Sequence, residues 1–137
     1  MKNRKIFMLL FYIYLFLILS VTLNSSGVTN VGGYSYFQKV IRCSNLLPFY
    51  SISSIESVLV PFIMYMPFAI LARGSYDCFN IKKHYIIFIF LLVTIFELFQ
   101  VVTLKGYFDI NDIILGCLGS FLVYYAIDLI KGFLENN

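Results

Sequence analysis

Residues 95–120 read IFELFQVVTLKGYFDINDIILGCLGS, and this stretch decides the predicted fold. It links two long apolar runs, Tyr85 to Leu104 and Asp109 to Ile130, through a short turn at 105–108. A run of about 20 apolar residues is long enough for a helix to cross the bilayer core. We therefore predict two membrane helices that form an antiparallel hairpin, because so short a turn leaves them side by side.

Carboxylates lie within this otherwise apolar hairpin. Glu97 is inside the first of the two helices, and Gln100 follows three residues later, on the same helix face. Asp109 and Asp112 open the second helix, where the helix dipole favours negative charge. An acid at bilayer depth costs at least about 2.5 kcal/mol unless it faces protein or water. These side chains therefore indicate a functional polar cluster.

The rest of the chain has the composition of an integral membrane protein. Of its 137 residues, 61% are hydrophobic and 12% are charged, against about half and about a quarter in soluble domains. We predict an all-α membrane protein with four transmembrane helices in a single domain over residues 1–137. The expected spans are about 6–23, 55–73, 85–104 and 109–130, with an extracellular loop over 24–54.

The first and second spans need separate interpretation. The first follows a basic start, as a cleaved secretory signal does, and that alternative stays open; we predict an uncleaved signal anchor, because its apolar run is long and no A-x-A site follows. Pro61 and Pro67 lie in the second span and predict kinks.

The distribution of Lys and Arg predicts the orientation. With an internal N-terminus, seven cations fall on the cytoplasmic side and three outside. Positive charge accumulates in cytoplasmic loops, so both termini are predicted to be cytoplasmic. The internal set is Lys2, Arg4, Lys5, Arg73, Lys82, Lys83 and Lys131; the external set is Lys39, Arg42 and Lys105.

Other segments should reach the outer end of the hairpin. Glu56 opens the second span, and Arg42 and Asn45 join it if the preceding loop folds back. Two purely structural roles stay open for these acids: Asp109 can cap a helix, and Glu56 can complete a capping box with Ser53. The predicted cluster would bind a cationic or hydrogen-bonding ligand, or a lipid-linked headgroup, and consists of Glu97, Gln100, Asp109, Asp112, Arg42, Asn45 and Glu56.

Small residues in the last span indicate helix packing. Gly116, Gly119 and Ser120 allow close approach of a neighbouring helix, and we place Pro67 among the packing residues. The partner helix can belong to the same chain, to a homo-oligomer or to another membrane protein. Near the inner end, Asp128 is expected to pair with Lys131.

Motifs for catalysis are missing from the sequence. It contains no G-x-S-x-G and no H-E-x-x-H, and the single His84 sits at a helix mouth. Cys43, Cys78 and Cys117 show no metal-ligand spacing. We therefore predict no catalytic residues, no metal and no cofactor, although Asp109 and Asp112 with Glu97 are an alternative divalent-metal set. A net charge of +3 without a basic stripe argues against a nucleic-acid partner.

Three stretches of the chain share a pattern with known membrane proteins. The first is Asn45-Leu-Leu-Pro48-Phe49 after Arg42, and the second is the run from Phe62 to Phe68 with Pro67. The third is Glu97-Leu-Phe-Gln100, followed by Phe108-Asp109-Ile-Asn-Asp112 and Gly119. Together they resemble the VanZ-like family of small bacterial membrane proteins, with departures at Pro61, Ala69, Asn111 and Gly116.

The resemblance implies a function for the acidic cluster. It implies a non-enzymatic role at the bacterial cell envelope in resistance to teicoplanin-type glycopeptide antibiotics. The family motif maps onto Glu97, Gln100, Asp109 and Asp112. Our own physical hypothesis is that the acidic cluster, at the outer leaflet, engages a lipophilic cationic antibiotic or a cell-wall precursor. Two alternatives stay open: an accessory interaction subunit of a larger membrane complex, and a metal-dependent enzyme acting on lipid headgroups.

Overall fold

Long apolar helices dominate the structure. A computed structural model describes residues 2–24, 33–49 and 54–135. Within these ranges, four helical segments are long and apolar enough to cross a membrane: Arg4–Asn24, Ile55–Ser75, Lys82–Val102 and Ile110–Glu135. This confirms the predicted all-α membrane fold with four spans, whose ends differ by a few residues from the predicted bounds.

The elements follow a simple order along the chain. The helices are α1 (Lys2–Asn24), α2 (Tyr36–Arg42), α3 (Ile55–Met64), α4 (Pro67–Ser75), α5 (Lys82–Val102) and α6 (Ile110–Glu135). A 3₁₀ helix covers Asp77–Asn80, and two short strands are β1 (Ser44–Asn45) and β2 (Phe108–Asp109).

The second span is broken at its middle. Helix α3 ends at Met64 and α4 begins at Pro67, where proline's missing N–H is harmless because a first-turn N–H has no intrahelical partner. Between them the chain tightens to i→i+3 bonds, with Met66 N donating to Ile63 O at 3.2 Å and Phe68 N to Tyr65 O at 3.3 Å. Of the two expected kinks, the one at Pro67 is a short interruption just before that residue, whereas Pro61 lies inside α3, which continues to Met64.

The capping interpretation of Glu56 is wrong. The residue that caps α3 is Ser54, whose hydroxyl accepts the N–H of Ser57 at 3.2 Å. Ser53 lies outside the described residues. Ser57, not Glu56, occupies the third helical position and completes the capping box with Ser54.

The described part of the segment before the second span contains a short helix and a short strand. Helix α2 and strand β1 lie within the expected loop over 24–54, and β1 pairs in parallel with β2. Ser44 aligns with Phe108 and Asn45 with Asp109, while Phe108 N donates to Cys43 O at 2.9 Å. This two-residue sheet holds the loop against the start of α6.

Helices α3 and α6 pack closely against each other. A Cβ added at Gly119 would lie 2.0 Å from Phe62 O, and one at Gly116 would lie 2.5 Å from the Tyr65 ring. Ser120, one residue further, hydrogen-bonds the buried Tyr85 hydroxyl. Helices α5 and α6 are also in contact, but α6 packs most extensively on α3, so the detail of a two-helix hairpin stays a prediction.

Aromatic side chains fill the core. Phe11 of α1 meets Phe68, Tyr76 and Phe88 with ring centroids 5.9–6.1 Å apart, and Tyr85 stacks on Tyr124 at 4.6 Å. Such pairs add about 0.5–1.5 kcal/mol each beyond the area they bury. Helix α1 is therefore integral to the packed bundle.

One end of the bundle is held by a buried arginine. Arg73, with only 7% of its side chain exposed, donates to Asp128 at 2.6 Å, to Tyr124 O at 3.1 Å and to Asn80 at 3.2 Å. Its guanidinium also stacks over the Tyr124 ring at 4.2 Å. The expected pairing of Asp128 with Lys131 is thus replaced by an ion pair between α4 and α6. We call this the Arg73 end.

Candidate functional site

The opposite end of the bundle gathers most of the predicted polar residues. We call it the acidic end; there α3 begins, α5 ends and α6 begins. Glu97 of α5 is 2% exposed, and its Oε2 accepts the backbone N–H of Asp109 at 3.3 Å. The buried acid therefore ties the end of α5 to the first residue before α6.

Asp109 is the centre of a small hydrogen-bond network. Its Oδ1 accepts the N–H of Asn111 at 2.9 Å, as an N-cap of α6 does, and also accepts the amide of Asn45 at 3.3 Å. Asn111 is 2% exposed and accepts the N–H of Phe49 at 2.6 Å. The Asn45–Asp109 and Phe49–Asn111 contacts fasten the preceding segment to α6.

An acidic cavity of about 450 Å³ opens beside this network. Three acids face it, Glu56 from α3 and Asp109 and Asp112 from the start of α6, together with the amide of Gln100. The remaining lining residues are Ser54, Ser57, Val60, Pro61 and Tyr107. The cavity thus combines carboxylates, hydroxyls and an amide, which are all hydrogen-bond acceptors.

A smaller chamber lies next to the acidic cavity. It measures about 150 Å³ and shares Val60, Pro61, Gln100 and Asp112 with it. We call it the Glu97 chamber, because Glu97 lines its wall together with Val21 and Thr22 of α1 and Met64 of α3. Since Gln100 and Asp112 line both spaces, the buried carboxylate is only one layer of side chains from the larger cavity.

Two acids at the acidic end lack a basic partner among the described residues. Across residues 2–24, 33–49 and 54–135, neither Glu97 nor Asp112 forms an ion pair with a described residue. The predicted cation Arg42 is exposed and stacks over the Tyr34 ring at 4.2 Å instead. The structure therefore brings together Glu97, Gln100, Asp109, Asp112, Asn45 and Glu56, and leaves Arg42 outside.

Sequence reasoning missed several contributors. Tyr65, at the break between α3 and α4, is fully buried, and its hydroxyl has no described hydrogen-bond partner. It lies within electrostatic range of Glu97 and Asp112. An aromatic residue in an apolar run gives no sequence signal, although Pro67 two residues later marks the break. Thr22 and Val21 were missed because α1 contributes through tertiary packing alone.

The structure bears on two alternatives that the sequence left open, a divalent-metal site and a helix-packing face for another chain. Within the part of the chain that the structure describes, no three His, Cys, Asp or Glu side chains are grouped so that they could hold a metal ion. Gly116 and Gly119, for which the sequence also allowed a partner in another chain, are covered by Tyr65, at the break after α3, and by Phe62 of α3. This small-residue face is therefore used inside the monomer.

The fold and the site define a small multi-pass membrane protein with a polar cluster at one end of four helices. The VanZ/LLP1 family model matches residues 11–131, which is nearly the whole chain. The chain therefore belongs to the VanZ/LLP1 family. No curated protein and no solved structure matches it.

Proposed function

We propose that the protein lowers the susceptibility of a bacterial cell to teicoplanin-type glycopeptide antibiotics. In this proposal the acidic cavity binds a cationic group of the antibiotic or of a cell-wall precursor at the outer face of the cell membrane. Either contact reduces productive meeting of drug and target. Membership of the family supports the class of function, and the cavity supplies its physical basis.

The proposed orientation places the acidic end outside and both termini in the cytoplasm. Seven Lys and Arg residues lie in the segments on the Arg73 side and three in the segments on the acidic side. Because cytoplasmic loops carry the excess of positive charge, this distribution favours the acidic end at the outer leaflet. A ligand approaching from the cell wall then meets the acidic cavity first.

The observation that carries the proposal is that Glu97 and Asp112 have no basic partner among the described residues. Carboxylates at membrane depth are costly unless they are paired or functional, and these two form no ion pair with a described residue. A cationic ligand group would supply the missing charge. The amide of Gln100 and the hydroxyls of Ser54 and Ser57, which also line the cavity, would orient it.

Susceptibility of a sensitive Gram-positive host tests the proposal. Cells carrying an empty vector, the protein, Glu97→Gln or Asp112→Asn are compared at equal membrane levels. Glu97→Gln keeps an oxygen that accepts the Asp109 N–H while removing the charge, so folding is retained. We expect tolerance from the intact chain and loss of most of it from either variant.

A charge-matched control distinguishes an effect at the acidic end from the general effect of removing one acid from the protein. Asp77→Asn removes an exposed acid at the Arg73 end, where Asp77 pairs with Arg4, and should leave tolerance intact. Binding of labelled teicoplanin and of an isolated cell-wall precursor to the purified protein distinguishes the two ligands. Equal tolerance from the intact protein and both acidic-end variants would contradict the site.

A further inference from the structure

An apolar groove runs along the side of the acidic end. It measures about 680 Å³, within the roughly 300–1,000 Å³ typical of small-molecule sites. The groove lies between α2, β1 and the last turns of α5. Apart from Ser44 and Asn45 its lining is apolar: Val40, Ile41, Leu46, Leu47, Leu98, Val101, Val102 and Phe108.

The strand pair separates this groove from the acidic cavity. Successive side chains of a strand point to opposite faces. Phe108 lines the groove, whereas its neighbours Tyr107 and Asp109 line the acidic cavity. The Asn45–Asp109 contact at 3.3 Å lies in the partition. The groove is thus a separate compartment with its own chemistry.

The segment over 33–49, which builds one wall of the groove, is basic and apolar. It contains Lys39 and Arg42 and no acid, and neither cation forms an ion pair with a described residue. Tyr36 donates its hydroxyl proton to Val102 O at 2.7 Å, which holds α2 across the end of α5. Five side chains here are 62–77% exposed: Phe37, Ile41, Leu46, Leu47 and Phe49.

We propose that this groove holds one acyl chain of an anionic phospholipid, whose phosphate contacts Lys39 and Arg42. The groove lies beside the last turns of α5, and the end of a membrane span is expected where the acyl chains of the bilayer begin. Charge complementarity selects an anionic headgroup, because Lys39 and Arg42, which adjoin the lining residues Val40 and Ile41 in sequence, form no ion pair with a described residue. The inference does not rest on the proposed function, since its compartment is not the acidic cavity.

Tryptophan fluorescence provides a direct test, because the chain contains no Trp. Leu46→Trp places a single reporter in the groove. The protein is reconstituted in mixed vesicles of phosphatidylcholine and phosphatidylglycerol, in which only one of the two lipids carries bromine on its acyl chains. The overall composition stays constant, and only the identity of the quencher changes. We expect stronger quenching per brominated lipid from phosphatidylglycerol.

Two further variants complete the test. Ile95→Trp is the matched control, because Ile95 is 58% exposed on α5 but does not line the groove; it should be quenched equally by both lipids. In the Leu46→Trp background, Lys39→Gln and Arg42→Gln should each lower the preference by about fivefold, the equivalent of about 1 kcal/mol per cation at an anionic surface.

Three outcomes would overturn the proposal. The first is equal quenching of Leu46→Trp by the two brominated lipids, and the second is a preference that survives removal of both cations. The third is protection of the reporter from both quenchers, which would show that protein, such as a second copy of the chain, covers the groove.

Discussion

The two ends of the helix bundle treat buried charge in opposite ways. At the Arg73 end, the guanidinium meets Asp128, Asn80 and the Tyr124 carbonyl, each within 3.2 Å. At the acidic end, Glu97 accepts one backbone N–H, and its charge faces a chamber shared with Asp112. Charge that is fully partnered locks helices together, whereas charge left without a counter-ion is available to a ligand.

The largest effect on the unfolding free energy is expected at the contact between α3 and α6, the helices that run from the acidic end toward the Arg73 end. Gly119→Ala would place a Cβ 2.0 Å from Phe62 O, which is backbone and cannot move aside alone. We expect α3 and α6 to separate, with a loss of about 3 kcal/mol or more of unfolding free energy, or of folded protein altogether. Unfolding of the purified protein by SDS in mixed micelles measures this.

Gly132→Ala is the matched control on the same helix. A Cβ at that position meets nothing within 4 Å, and the helix propensity of alanine favours the change by up to about 1 kcal/mol. If both glycine variants unfold at the same SDS fraction, close packing of α6 on α3 does not connect the two ends.

The next effect tests the lock at the Arg73 end. Arg73→Met removes an ion pair, two further hydrogen bonds and a stacked cation. We expect a loss of about 2 kcal/mol of unfolding free energy, below the 3–5 kcal/mol of a fully buried pair because Asp128 is 42% exposed. SDS unfolding again provides the measurement.

Arg4→Met offers the comparison within the same chain. The Arg4–Asp77 pair has side chains that are 49% and 81% exposed, and such surface pairs contribute under about 1 kcal/mol. The prediction for the Arg73 lock is contradicted if the Arg4 variant is destabilised as much as the Arg73 variant.

Neutralising an acid at the acidic end should not destabilise the protein, in contrast to removing Arg73. Asp112→Asn removes a charge that has no described counter-ion and that lies near Glu97 and Asp109. We expect the unfolding free energy to stay the same or to rise by no more than about 1 kcal/mol, while antibiotic tolerance falls. A destabilisation as large as that of Arg73→Met would instead make Asp112 a structural residue.

Sequence reasoning succeeded where the signal is local. Four apolar runs revealed the spans, because the bilayer requires about 20 apolar residues in each. Glu97, Asp109 and Asp112 stood out because acids are rare in such runs. Their spacing, together with the adjoining turn, was sufficient to place them at one end.

Features that depend on distant partners could not be predicted. Arg73 and Asp128 are 55 residues apart in sequence, and Lys131 offered a nearer partner for that aspartate. The two-residue strands pair over a similar separation and are too short to produce an alternating pattern. Arg42 was expected at the cluster if the preceding loop folds back. Asn45 does reach Asp109, but the side chain of Arg42 stacks over Tyr34 instead.

The smallest effect sharpens the comparison at the acidic end. A Cβ at Gly106 would lie 2.8 Å from Gln100 Oε1, which is the far end of a flexible side chain. Gly106→Ala should therefore change the unfolding free energy by less than about 0.5 kcal/mol. The displaced amide lines both the acidic cavity and the Glu97 chamber, so antibiotic tolerance should still fall.

Because this effect acts through Gln100, it should disappear in a Gln100→Ala background, as a double-mutant cycle would measure. An unchanged effect in that background would mean that Gly106 acts through the backbone of the turn, and the amide would then lose its assigned place in the site.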